Sequence, residues 1–537
     1  MNRDESAKTV RNAAKVSFGV LFSRLLGLVR DISLAYVLGG GWLADIFLAA
    51  FRIPNFTRRL VYEGAVAMAF LPFFSKLRLQ KGDAEAFAFG RAAVAQFLIV
   101  ALVIAMICIY ASQSIAVILL PGFAEDYLAI ELAGELMRIT FFFLPLVVAA
   151  ALISGMLLAL ERYLVPSIST ACVNVGMIAA AVFAVFAGYS GYAAARILCY
   201  GLLAGGLLQI LLQLPALRQA GFSVFGRVAF YSSETRSFFR KAPQTVFGSA
   251  SYQLGVVITM IMASFLGQGN VTALYFAERI LELPLAVVGI ALGTASLGNF
   301  SSLVLQGERR ELALRMREVI AMGLCFSLPA AVGCLALALP IMGAFFAHGA
   351  FGDHSLDLAV RALIFYTPTL PAIVLSRPLL AALNAAGRAG TTMFVAALSL
   401  LVLVGASWLL LSFMDIEAIT IGASISAWFN TIALALLLRR SKVCAAGRDM
   451  GQAPVCGPGD EPGKWPGFFP WKSLVCYLAY SLIMLGVLIF MQYAADYLGM
   501  GYIPRLLLGV PLGAAVYLLL CRIFRSPELA LLRRSFF

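Results

Sequence analysis

Apolar runs near 20 residues long, separated by short polar breaks, recur from one end of this chain to the other. The hydrocarbon core of a bilayer is about 30 Å thick and a helix rises about 1.5 Å per residue, so each run can span it. Backbone groups in hydrocarbon must be satisfied internally, which leaves helices and closed barrels, and runs of this length suit helices. With 62% hydrophobic residues, 12% charged residues and a mean hydropathy of +0.93, a water-soluble globule is excluded. The chain reads as an all-α polytopic membrane protein.

Cutting at the polar breaks gives fourteen segments: 13–38, 43–75, 92–119, 130–158, 165–187, 192–216, 242–266, 271–305, 318–346, 358–384, 390–413, 418–438, 473–494 and 503–521. Two are long for one crossing, and Pro54 and Pro284 are candidates to kink them. The start, MNRDESAKTVRNAAK, is charged and lacks a small-residue cleavage site. The expectation is that no leader is removed and that both termini face the cytoplasm.

Charge placement supports this weave. Of the 40 Lys and Arg residues, 29 fall in segments that the count places on the cytoplasmic side, and the seven intervening loops hold none. One helix missed or invented would destroy the segregation that the positive-inside rule requires. The net charge of +13 is therefore largely topological, and a nucleic-acid partner is not needed to explain it.

A faint internal repeat links LGGGWLADIFLAAFRIP (38–54) to LGQGNVTALYFAERILELP (266–284), and LLALERYLVPSISTA (157–171) to LAALNAAGRAGTTMF (380–394). Both pairs follow equivalent segments six apart, which predicts two pseudo-symmetric, parallel six-helix lobes with a binding site between them. The expected organisation is an N-terminal lobe over 1–216, a cytoplasmic inter-lobe linker over 217–241 and a C-terminal lobe over 242–440. A Gly/Pro-rich cytoplasmic linker at 441–472 and two further helices with a tail at 473–537 complete it.

Against this apolar background, residues 23–75 carry Arg24, Arg30, Arg52, Arg58 and Arg59 with only Asp31, Asp45 and Glu63 as acids. An arginine at the bilayer centre costs roughly 2.5–3.5 kcal/mol on insertion scales, so such residues persist beside water, a counter-charge or an anionic ligand. At about 100° per residue, Arg24 shares a face with Asp31, and Arg52 with Arg59, whereas Arg30 and Arg58 point elsewhere. Two readings remain open: a cavity wraps around much of the first two helices, or some arginines pair with the acids and stiffen the bundle. Further on, Glu278, Arg279 and Glu282 place one arginine within reach of Glu282. The six cations singled out in these three helices, Arg24, Arg30, Arg52, Arg58, Arg59 and Arg279, are all arginine, whose planar fork matches a phosphate better than an ammonium does.

SRLLGLVRD, ADIFLAAFRIPNFTRRLVYEGAVAMAF and ALYFAERILELPLAVVGIALGT resemble the signature stretches of the MurJ (MviN) family. These are the lipid II flippases of bacterial peptidoglycan synthesis, within the multidrug/oligosaccharidyl-lipid/polysaccharide (MOP) exporter superfamily. The resemblance implies two six-helix lobes around a cationic cavity, plus two terminal helices forming a groove for a polyprenyl tail. It implies alternating access that carries lipid II, the undecaprenyl-pyrophosphate-linked peptidoglycan precursor, outward. By position in the shared motifs it places cavity residues at Arg24, Arg30, Arg58, Arg279 and Asp45, with Arg52, Glu63 and Glu282 in support; Asp31, Arg59 and Glu278, charged neighbours on the same helices, are further supporting candidates. Membrane lipids and other cell-wall synthesis proteins are the partners it implies.

No G-x-x-x-x-G-K-[ST] motif is present, so ATP hydrolysis and any cofactor are not expected, and membrane potential or an ion gradient is the expected drive. Segments 242–266 and 390–413 contain no carboxylate, which argues against a sodium site there. His348 and His354 share one loop without further ligands, and the nine cysteines show no metal spacing. A drug or cation antiporter of the same architecture calls for an acidic or aromatic cavity. An embedded transferase calls for grouped catalytic carboxylates on sizeable outer loops. A flippase for another polyprenyl-pyrophosphate-linked oligosaccharide fits the arginines as well as lipid II does.

Overall fold

The computed structural model describes residues 3–61, 70–223, 253–294, 309–440 and 468–528, with 226, 228, 236 and 303 between them. Glu63, most of the 217–241 linker, residues 242–252, the linker residues 441–467 and the tail from 529 lie outside the described residues. Every regular element among the described residues is a helix.

The first helix, α1 (Arg3–Leu38), starts ten residues before the expected position. Hydropathy locates the membrane and not the helix: residues 3–15 are rich in Ala, Lys, Arg and Glu and hold no Gly or Pro, so nothing stops the helix from continuing beyond hydrocarbon. After it come α2 (Trp42–Arg59), α3 (Leu71–Lys81), α4 (Asp83–Tyr110), α5 (Ser112–Leu119), α6 (Tyr127–Phe141), α7 (Phe143–Ala159), α8 (Leu164–Ser169), α9 (Ala171–Phe186) and α10 (Gly191–Gln219). The later helices are α11 (Gln253–Ser264), α12 (Asn270–Thr294), α13 (Arg309–Ala336), α14 (Ala338–Phe346), α15 (Asp353–Tyr366), α16 (Thr369–Ala385), α17 (Ala389–Leu410), α18 (Ile416–Arg440), α19 (Trp471–Tyr497) and α20 (Tyr502–Ile523).

Each of the fourteen expected segments is helical over most of its described residues. Nine spans among the described residues are long and apolar enough to cross a membrane, or ten if α15 and α16, bent by 43° at their junction, count as one. That measure does not reach fourteen. α2 and α12 are long enough but fall short because they carry the arginines and acids singled out above.

Several expected segments are broken where sequence showed continuous apolar residues. The breaks at Phe142, Leu337 and Pro368 each fall three residues ahead of a proline, namely Pro145, Pro340 and Pro371. A proline nitrogen cannot donate to the carbonyl four residues back, and its ring crowds that carbonyl. Pro54 and Pro284, by contrast, sit inside α2 and α12, which run through them.

The chain divides into two compact units, Met1–Thr272 with Phe346–Ser355, and Ala273–Phe345 with Leu356–Phe537. In the first, α9 packs on α10 and α1, α10 on α7, α4 on α7, and α2 on α6. The α9–α10 contact is closed by small residues, because a Cβ on Gly176 would stand 2.5 Å from the Gly201 carbonyl oxygen and 2.7 Å from Gly205 Cα. Without a hydrophobic drive between helices in lipid, such close backbone approach supplies the packing. In the second unit, α17 packs on α18, α16 on α18, and α13 on α16 and α19, with α20 against α19. Large apolar side chains are exposed along α4, as at Ile99, Val103 and Ile107, and along α19 and α20. Such surfaces belong against lipid tails rather than water.

Candidate functional site

The charged residues of the first unit are held in three different ways. Arg24 is exposed on α1, while Arg30 and Asp31 are buried at 6% and 0% exposure. Arg30 directs Nε and Nη2 to Asp31 Oδ1 at 3.0 and 2.7 Å and donates from Nη1 to Asn174 Oδ1 on α9 at 2.9 Å. Asn174 in turn donates its amide to the Ser23 carbonyl at 3.0 Å, and the Phe51 ring of α2 lies 5.2 Å from the guanidinium carbon. A buried ion pair loses its hydration, and the added hydrogen bonds and ring contact are what make this one tenable. Arg30 therefore braces α1 against α2 and α9.

On α2, Arg52 is buried and Arg58 and Arg59 are half-buried at the last turn. Arg58 donates from Nε and Nη2 to Asn55 Oδ1 at 3.3 and 3.0 Å, one turn back on the same helix. The carboxylate of Asp45, in the first turn of α2, is fully buried. Its Oδ2 accepts the Gly269 backbone N–H at 2.6 Å, and its Oδ1 accepts the Thr272 N–H at 2.8 Å and the Thr272 hydroxyl at 2.6 Å. The first N–H groups of α12 have no partner within their own helix, and the positive end of the helix favours an anion there. Asp45 is thus an N-terminal cap supplied from another helix. Gly269, at φ +87°, holds the left-handed turn that presents its N–H to the carboxylate.

Arg279, Glu278 and Glu282 belong to the second unit. Arg279 is held by Glu282, as the spacing suggested, with Nη1 to Oε2 at 2.5 Å, and it donates from Nη2 to the Tyr275 hydroxyl at 3.1 Å. The Tyr366 hydroxyl stands 3.5 Å from Glu278 Oε1. Asn174, Asn55, Thr272 and Tyr275 escaped sequence reasoning. The available signal was a lone polar residue in an apolar helix, as with Asn174 in ACVNVGM.

Elsewhere in the second unit, Arg361 on α15 gathers Asp357 at 3.6 Å, Asp415 at 3.9 Å and Glu417 at 3.1 Å. Among the described residues no group of three or more His, Cys, Asp or Glu is placed to hold a metal ion.

The fold matches solved transporters over most of its length. It superposes on the structure titled "Lipid II flippase MurJ, inward closed conformation" with a TM-score of 0.77 and 22% identity, covering 96% of this chain and 99% of that one. An inward-facing multidrug resistance MATE family transporter of the MOP superfamily superposes with a TM-score of 0.62 and 16% identity, over 79% and 97% of the two chains. The apolar helices define a multi-pass α-helical membrane protein, and its fold is the one these transporters share. The family model "Lipid II flippase MurJ" matches residues 34–502, and the chain belongs to that family. "Probable lipid II flippase MurJ" of Rhizobium meliloti is 31% identical over 428 residues, 79% of each chain. "Lipid II flippase MurJ" of Burkholderia cenocepacia is 29% identical over 431 residues, 79% of this chain and 83% of that one. Arg24 and Arg30 precede the matched stretch, whereas Asp45, Arg58 and Arg279 lie inside it.

Proposed function

We propose that this protein is a lipid II flippase of the bacterial inner membrane, a transporter rather than an enzyme, which carries the undecaprenyl-pyrophosphate-linked peptidoglycan precursor from the cytoplasmic to the periplasmic leaflet. The observation that supports this reading is the concentration of arginine at residues 24–59, in the first two membrane helices of a chain that matches the flippase family. A pyrophosphate carries about two negative charges, and convergent arginine forks can replace its water in a site of low dielectric.

In this reading the roles divide. Arg24, exposed on α1, and Arg58, Arg59 and Arg279, half-buried, reach the pyrophosphate in a cationic cavity. Arg30 with Asp31 and Asn174 fixes the helix that carries Arg24. Asp45 fixes α2 to the start of α12 within the first unit. Membrane potential, worth about 2.3 kcal/mol per charge per 100 mV, or an ion gradient drives the cycle. The test is depletion of the protein in its own cell, followed by identification of the lipid-linked precursor that accumulates. Accumulation of lipid II in the cytoplasmic leaflet supports the reading, and accumulation of a different polyprenyl-linked oligosaccharide replaces it with the neighbouring one.

A further inference from the structure

Two arginines outside the site just described share an exposed face of the first unit. Arg138 on α6 and Arg196 on α10 are both exposed, although each lies within a helix apolar enough to span the membrane. Their helices touch through a bond one turn away, in which the Tyr192 hydroxyl donates to Glu135 Oε2 at 2.5 Å.

That bond fixes the register. A Cβ on Gly206 would meet the ring of Phe143, the first residue of α7, at 2.8 Å; α6 and α7 form one span (Tyr127–Ala159), so contacts advance in the same sense along both chains and this span and α10 run parallel. Arg138 is three residues beyond Glu135, about 4.5 Å along the axis, and Arg196 is four beyond Tyr192, about 6 Å, so the two stand at nearly one level. Relative to the contact, Arg138 is rotated by about −60° and Arg196 by about +40°. On parallel helices that face each other, rotations of opposite sign lead to the same flank. Both arginines therefore border one groove between α6 and α10.

The surroundings of that groove are apolar and uncovered. Phe142 continues it at the α6–α7 junction, and Tyr200, Leu207 and Leu211 continue it on α10, all exposed. Arg138 is oriented by donating from Nε to Ser112 Oγ at 3.2 Å, which uses one of its five donors. Glu135, the nearest acid in sequence, is turned to Tyr192. An isolated arginine can snorkel to the interface, but two at one level on one flank form a fork pair above a greasy groove.

We propose that this groove binds an anionic phospholipid of the bilayer, its headgroup phosphate held between Arg138 and Arg196 and an acyl chain lying along Phe142, Tyr200 and Leu207. The lipid acts as a structural ligand that closes the α6–α10 seam where two arginines meet hydrocarbon.

The test is titration of the full-length protein in detergent with phosphatidylglycerol and with phosphatidylcholine, counting bound lipid by native mass spectrometry. The wild-type protein is expected to prefer phosphatidylglycerol. Each arginine near a charged lipid contributes about 1 kcal/mol, or about fivefold, so R138A/R196A should lose about 25-fold in phosphatidylglycerol affinity. R138K/R196K, which keeps both charges, should retain more of the affinity than the alanine pair. If the double alanine variant does not fold, R196A alone should still show its fivefold loss. Wild-type affinity in R138A/R196A, or in R196A when only that variant can be measured, overturns the proposal. Displacement of phosphatidylglycerol by a lower concentration of undecaprenyl phosphate also overturns it, since the groove would then belong to the transport route.

Discussion

Removing the carboxylate of Asp45 should loosen the start of α12. In Asp45→Ala, the Gly269 N–H, the Thr272 N–H and the Thr272 hydroxyl lose a fully buried acceptor whose three bonds span 2.6–2.8 Å. Leaving a buried donor unsatisfied costs about 1–3 kcal/mol, and the loss of an anion at a helix N-terminus adds about 0.3–1 kcal/mol. Water entry and rotation of the Thr272 hydroxyl recover part of this, which leaves about 2–4 kcal/mol of local stability. Asp45→Asn keeps one acceptor but points an NH2 at a donor, so it should lose roughly half as much. The protein has two units, so a global melting temperature is a poor readout, and hydrogen exchange of the peptide covering residues 266–275 is a direct one. At about 1.4 kcal/mol per factor of ten, exchange there should accelerate about 30-fold to 700-fold in the alanine variant. Peptides from α9 and α10 should be unchanged. Wild-type protection of residues 266–275 in Asp45→Ala would refute the cap.

Three further outcomes follow from the same contacts. Arg30→Lys cannot bind Asp31 and Asn174 together, so it should cost about 1–3 kcal/mol, with a double-mutant cycle against Asn174→Ala showing coupling; independent effects would remove the brace. Arg24→Ala should abolish support of growth while the protein still inserts at normal levels, and Arg24→Lys should restore it only partly because the fork is lost; full activity of the alanine variant sinks the cavity reading. Cysteines introduced at residues 268 and 350 should be labelled from the periplasm and one at 312 should not, and labelling of 312 from that side would refute the weave.

Helix positions were legible because the bilayer forces each apolar run into one helical solution, and every described segment confirms it. The breaks were less legible. Pro145, Pro340 and Pro371 each follow a break, yet six other prolines lie inside helices, so a proline marks a weak point that packing then uses or bridges. The arginines and acids were visible as misfits in apolar sequence, and the Arg279–Glu282 pair could be read from its i, i+3 spacing. The partners of Arg30 and Asp45 could not. Asn174 lies 144 residues from Arg30, and Gly269 lies 224 from Asp45, distances over which helical periodicity carries no information. Nor could sequence separate the arginine that braces helices, Arg30, from the exposed Arg24, since burial is decided by neighbours from α2 and α9.

The central claim is that this chain moves lipid II and that arginine recognises its pyrophosphate. Purified protein reconstituted into vesicles with fluorescent lipid II, read by an impermeant quencher, tests both parts at once. The wild-type protein is expected to exchange the labelled lipid between leaflets faster than protein-free vesicles do, with free pyrophosphate competing and Arg24→Ala and Arg279→Ala falling to the protein-free rate. Exchange at the protein-free rate in active wild-type preparations, or at the wild-type rate in both variants, would contradict it.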